Sequence, residues 1–199
     1  MRKNTIFTHK PSQKKRMYSE LCFLIITLGL LVLLTYAEAL RSNNNKLLWG
    51  GLPRSTCNPW VISMLLTVIS FLYMSGMWVW NEDLIVYTTP YKDIRHIVLF
   101  QYILFLAGAV LWAPLTLIAL QREQKLYSVL LALWLTASGS IGLFVMACGT
   151  QDLLMIIAAT ICMLHHVIFD AIYWWFTWDV GSRGFRKTKK VEHSTLRFI

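Results

Sequence analysis

The sequence is short of charge. Only 15% of its 199 residues are Asp, Glu, Lys or Arg, and ten of them are acidic. Hydrophobic residues make up 56%, and the mean hydropathy is +0.52. A water-soluble domain of this length has too little interior to hide that much apolar side chain. Proline is scarce, at five residues, so long stretches run without a helix breaker. Cysteine is scarce too. Cys22, Cys57, Cys148 and Cys162 have no CxxC or Cys/His spacing, which implies neither a disulfide framework nor a zinc site. No N-x-[ST] sequon is present to mark a loop for glycosylation.

Further absences exclude chemistries. None of the apolar runs contains a lysine, which a retinal-type Schiff base requires. Five histidines are too few for the repeated boxes of membrane di-iron enzymes. A bis-histidine haem needs inward histidines on two facing helices, and outside the last run only His96 comes near. No GxSxG elbow places a serine nucleophile. The adjacent pair His165 and His166 diverges on a helix, a poor start for a metal site. The expectation is no cofactor and no metal.

What is present is a series of apolar runs, each about the thickness of a bilayer core. They cover 21–40, 60–80, 96–120, 126–148 and 152–178. The fold class expected is all-α, a polytopic membrane protein built as a bundle of five transmembrane helices. One domain would occupy 19–180. A basic tail without acidic residues, 1–18, reads as disordered, and a second basic tail covers 181–199. The connection 42–59 is rich in Asn, Gly and Pro and reads as a turn rather than a helix. Trp49, Trp60, Trp78 and Trp80 fall where aromatic side chains meet lipid head groups.

The formal charge of +9 gathers at the two ends. Arg2, Lys3, Lys10, Lys14, Lys15 and Arg16 precede the first run, and Arg183, Arg186, Lys187, Lys189, Lys190 and Arg197 follow the last. Basic clusters that flank apolar runs suit anionic lipid head groups better than nucleic acid. The partners expected are the bilayer, its anionic head groups at the tails, and other membrane proteins. Five spans put the termini on opposite sides, with 8 basic residues on the N-terminal side and 11 on the other. The positive-inside rule does not decide between such similar totals. The membrane itself is not specified.

Small residues inside the runs read as packing devices. Gly108, with Ala109 and Ala113, offers a face for close helix approach, and Pro114 implies a kink. Ser138 and Gly142 have small-xxx-small spacing. Glu38 lies one turn before Arg41, as in an interfacial ion pair. Glu82 and Asp83 read as solvated acids at a helix end.

The last run holds the polar focus. His165, His166 and Asp170 sit in an apolar segment, where ionisable groups persist only when paired, hydrated or used. At 3.6 residues per turn, His166 and Asp170 share a face and His165 points about 100° away. The expectation is that His166 and Asp170 interact and at least one of them faces the bundle interior, with Glu38 and Gln101 as candidate contributors. Such a pair serves a proton relay, half a metal site, acid/base chemistry, or a packing network with Ser138, Ser140 or Gln101.

Short motifs carry two resemblances. Leu48-Trp49-Gly50-Gly51-Leu52-Pro53, Leu111-Trp112-Ala113-Pro114-Leu115-Thr116 and Asp170-Ala171 resemble segments of an uncharacterised group of small multi-pass membrane proteins. That likeness supports the layout of spans and implies no activity. Trp112-Ala113-Pro114-Leu115 is also similar to a motif of the emopamil-binding, sterol-isomerase-like five-span proteins. There, intramembrane carboxylates transfer protons, but the acidic pattern of the middle spans is missing here. Only Glu38 and Asp170 could serve.

The leading expectation is therefore a non-enzymatic membrane protein for transport or complex assembly. The alternatives are a membrane enzyme using acid/base chemistry on a lipid-soluble substrate, and a purely structural subunit. Close approach of Glu38 or Gln101 to His166 would favour a site over packing.

Overall fold

The computed structural model describes residues 11–41, 54–81, 94–122 and 127–177. Among these residues the chain is all helix, with no strand. The helices are α1 (Pro11–Arg41), α2 (Arg54–Trp80), α3 (Ile94–Gln121) and α4 (Tyr127–Gly149). The fifth begins as α5 (Leu153–Leu164), continues as a π-helix over His165–Trp174, and closes with the short α6 (Trp175–Thr177). Five stretches are long and apolar enough to cross a membrane: Ser19–Ala39, Pro59–Trp80, His96–Gln121, Tyr127–Gly149 and Leu153–Thr177. The apolar runs dictate this, because a helix satisfies its own backbone polar groups where water is absent.

Two boundaries differ from expectation. Helix α1 starts at Pro11, inside the segment read as a disordered tail, and proline suits a first turn because its missing N–H is not needed there. Helix α2 starts at Arg54 and runs through Pro59, so the segment just before the second run is helical rather than turn. That proline stands in the second turn, where it removes a single hydrogen bond. Pro114 likewise lies within α3, which continues to Gln121. The basic tails (residues 1–10 and 178–199), the loop motif at 48–53, the Glu82/Asp83 pair and most of the 121–125 connection lie outside the described residues.

The reversal into the fifth helix is built locally. Gln151 takes a left-handed φ of 58°, while the Thr150 hydroxyl donates to the Ala147 carbonyl at 2.7 Å. Asp152, expected as the first residue of the span, instead caps it, accepting from the Met155 amide at 3.0 Å.

Packing runs in a ring. Helix α1 lies on α3, α3 makes its most extensive contact with α4, α4 meets the fifth helix, and the fifth meets α2. A narrower contact between α2 and α1 closes the circuit. Buried side chains form two clusters. One joins the start of α1, α3 and α5 with the end of α2 and α4, around Met74, Trp78, Tyr102 and Met155. The other joins the opposite ends, around Trp60, Ala113, Leu133 and Trp174. Large exposed side chains such as Phe23, Leu33, Leu65 and Ile69 cover the outside. In a bilayer that surface carries no penalty, since lipid tails are as apolar as leucine.

Glycines set the α3–α4 distance. A Cβ on Gly139 would lie 2.5 Å from the Phe105 backbone nitrogen. Gly108 faces the Ala132 carbonyl and Thr136, and Gly142 lies directly beneath the Gln101 side chain. Ser138, expected on a packing face, is exposed. The buried face of α4 is Ala132, Thr136, Gly139 and Leu143, one residue out of register with Ser138.

Candidate functional site

The polar residues of the fifth helix sit at the seam between the two clusters, with Cys162 in one and Ala171 in the other. Here the backbone departs from α geometry. A π-helix bonds i to i+5 and so widens the turn, which brings residues five apart onto one side of the helix. His165 and Asp170 are five apart, and His165 Nε2 lies 3.5 Å from Asp170 Oδ1. The pairing expected for His166 falls to its neighbour. That is a consequence of helix type, which the 3.6 periodicity does not contain.

The other ring nitrogen of His165 reaches across to α2. Ser63 Oγ and His165 Nδ1 are 2.8 Å apart, so the two ends of the imidazole join a hydroxyl to a carboxyl. With the Ser63 hydroxyl donating to Nδ1, the Nε2–H faces Asp170. In the other tautomer, Nδ1–H donates to the Ser63 oxygen and Nε2 accepts. His165 is 4% exposed and Asp170 25%. The ring of His165 lies at 5.9 Å from Phe169, stacked, and at 6.2 Å from Trp60, edge-on.

His166 has a different task. Its Nδ1 lies 2.7 Å from the Cys162 carbonyl, which can only accept, so Nδ1 carries the proton. That carbonyl also takes the His165 amide. The His166 ring stands edge-on to Phe105 at 4.8 Å and to His165 at 5.2 Å. Cys162 Sγ approaches the Thr67 carbonyl at 3.5 Å, and the Thr67 hydroxyl donates to the Ser63 carbonyl at 2.9 Å. Ser63 and Thr67 thus bind α2 to the fifth helix at two levels.

Gln101 is occupied elsewhere, over Gly142, and Glu38 is exposed on α1. The His166 ring is held instead by the Cys162 carbonyl and Phe105. Pro114 lies in α3, in the segment that gives Trp112 and Ala113 to the second cluster. Among the described residues no three His, Cys, Asp or Glu side chains gather into a metal-binding group.

Ser63 is the residue that sequence reasoning missed. Its signal is a stripe of Trp60, Ser63, Thr67, Ser70 and Met74, spaced three or four apart on one face of an apolar helix. Thr67 and Ser70 are buried and Ser63 is half-buried. Nothing in the sequence of α2 says that this stripe faces a histidine 102 residues away.

Compared with protein-family models, curated proteins and solved structures, the chain finds no match.

Proposed function

We propose that the chain is an integral multi-pass membrane protein whose work is acid/base chemistry at Ser63, His165 and Asp170, as a membrane enzyme acting on a lipid-soluble substrate. The observation that carries this reading is that both nitrogens of one buried imidazole have polar partners, at 2.8 Å and 3.5 Å. Any buried imidazole needs a partner at each nitrogen, and here the partners are a hydroxyl and a carboxyl, the pair that acid/base chemistry uses. With two, an imidazole can take a proton at one nitrogen and have the resulting charge met by a carboxylate at the other. The aromatic surround of Trp60 and Phe169 keeps the ring in one orientation. The site is held by spans rather than loops, so its geometry is positioned before any substrate arrives.

The test is conversion of lipid in nanodiscs. Wild-type protein incubated with a total membrane lipid extract is expected to transform one lipid-soluble species, followed by mass spectrometry. His165→Ala should lower the rate by about 10²–10⁴-fold, the usual contribution of a positioned acid or base. Undiminished conversion by His165→Ala, or no conversion by the wild type, overturns the reading.

The same two-sided imidazole also favours proton-coupled transport, because exchange of tautomers hands a proton from one helix to the next. Proteoliposomes carrying a pH-sensitive dye separate the two. A proton flux that needs His165, without lipid conversion, replaces the enzyme with a transporter.

A further inference from the structure

The contact of Ser63 with His165 sharpens the acid/base reading, on which the following inference rests. The second candidate span begins at Pro59, and Ser63 is four residues further in. At 1.5 Å per residue that is about 6 Å below the start of the span. Trp60, one turn before Ser63, is buried in the protein and contacts the His165 ring. His165 itself is twelve residues from either end of Leu153–Thr177, so the pair lies within the apolar stretches, toward the Pro59 end of the second. Carboxylic esters, at the head-group end of the acyl chains, are the acyl donors that a glycerolipid carries.

We propose that Ser63 is a nucleophile that accepts an acyl group from a carboxylic ester of a membrane lipid, with His165 as its base and Asp170 as the group that positions His165. Each part has its place. Ser63 Oγ is 2.8 Å from His165 Nδ1, within the reach a base needs to take the hydroxyl proton. Asp170 faces the opposite nitrogen at 3.5 Å, where it meets the charge that forms on the ring. The ring is used in the reverse sense to most serine enzymes, with Nδ1 toward the nucleophile. Either nitrogen can accept the proton, so the chemistry is unaffected.

The steps balance. Ser63 Oγ attacks the ester carbonyl carbon as its proton moves to His165 Nδ1. The C–O bond of the ester breaks, and the departing alcohol takes the proton from His165. A water molecule then attacks the acyl-serine, giving its proton to His165. The carboxylic acid leaves, and Ser63 recovers its hydrogen. A second lipid alcohol in place of water turns hydrolysis into acyl transfer. A stripe of hydroxyls could form for packing alone, and Thr67 fits that description, since its hydroxyl is spent on the Ser63 carbonyl. The Ser63 hydroxyl is the one aimed at an imidazole.

The experiment is covalent capture in nanodiscs. Full-length protein is treated with a long-chain alkyl fluorophosphonate and followed by intact mass and peptide mapping, while release of fatty acid from phospholipid is measured in the same discs. The expected result is one adduct, on Ser63, absent in Ser63→Ala and formed at least about 100-fold more slowly in His165→Ala. Asp170 acts through His165, so Asp170→Glu should keep part of the labelling that Asp170→Asn loses. Thermal melts identify any variant that fails to fold; if His165→Ala is one, the Asp170 variants carry the comparison. No adduct on Ser63 of the wild type, or labelling indifferent to both His165 and Asp170, overturns the proposal. Lipid conversion that needs His165 but survives Ser63→Ala removes the nucleophile and leaves the acid/base reading standing. Conversion that needs neither removes both.

Discussion

His165 and Asp170 stand five residues apart in the chain, yet Nε2 of one lies 3.5 Å from Oδ1 of the other, because the helix between them is π rather than α. In an α-helix residues five apart point about 140° from each other, so the wider turn is what brings His165 to Asp170. π-turns concentrate at functional sites, and here the turn selects which of two adjacent histidines meets the carboxyl. It also leaves His165 Nδ1 for Ser63 on α2.

Double-mutant cycles should report that selection. His165→Ala and Asp170→Asn, within one helix, are expected to couple by at least about 0.5 kcal/mol, and His165→Ala and Ser63→Ala by about 0.6 and at most about 1.7 kcal/mol, as polar contacts between membrane helices do. His166→Ala and Asp170→Asn should add within about 0.5 kcal/mol. Thermal unfolding in detergent of the single and double variants measures all three. Coupling of His166 with Asp170 in place of His165 would contradict the π-helical register.

Packing of α3 on α4 makes a graded series. Gly139→Ala puts a Cβ against the Phe105 backbone, which cannot yield, and should cost about 1–3 kcal/mol. Gly142→Ala meets the Gln101 side chain from Cγ outward rather than backbone, and that flexible chain can swing aside, so its cost should be smaller. Ser138→Ala, at an exposed position, should stay within about 0.5 kcal/mol of wild type. The same melts rank the three.

Asp152 holds the start of the fifth helix through the Met155 amide. Asp152→Ala should destabilise by about 0.5–2 kcal/mol, and Asp152→Asn or Asp152→Ser should restore most of it, since each side chain can still accept. A loss confined to the first turn would appear as faster hydrogen exchange at 153–156, where the Ile156 amide bonds to the Asp152 carbonyl.

If all five stretches cross, the two ends of the chain lie on opposite faces of the membrane. Protease protection of tags at residue 1 and residue 199, in sealed vesicles of known orientation, should show one tag cut and the other shielded. Both tags on one face would remove one span from the count.

Much of the architecture was legible because it rests on length and hydropathy. The five runs predicted at 21–40 through 152–178 recur within a few residues as Ser19–Ala39 through Leu153–Thr177. A twenty-residue apolar stretch has few alternatives to a helix when its backbone must be satisfied internally. Short-range chemistry was legible in part. Gly108 and Gly142 do lie against neighbouring helix groups, while Ser138 points outward. Spacing alone identifies a set of small residues but not which diagonal of a helix meets its neighbour.

The sequence by itself determined that polar groups lie inside the fifth helix, since His165, His166 and Asp170 are fixed in an apolar run whatever the fold. Only the tertiary structure decided which of them meet. The helix type sets a rotation that accumulates with each residue, so a change from 3.6 residues per turn redirects every side chain that follows. The bond to Ser63 depends on α2 lying against the fifth helix, a contact between segments 102 residues apart. Hydropathy is a local property of each segment. The site is a relation between two of them, and it exists only once they pack.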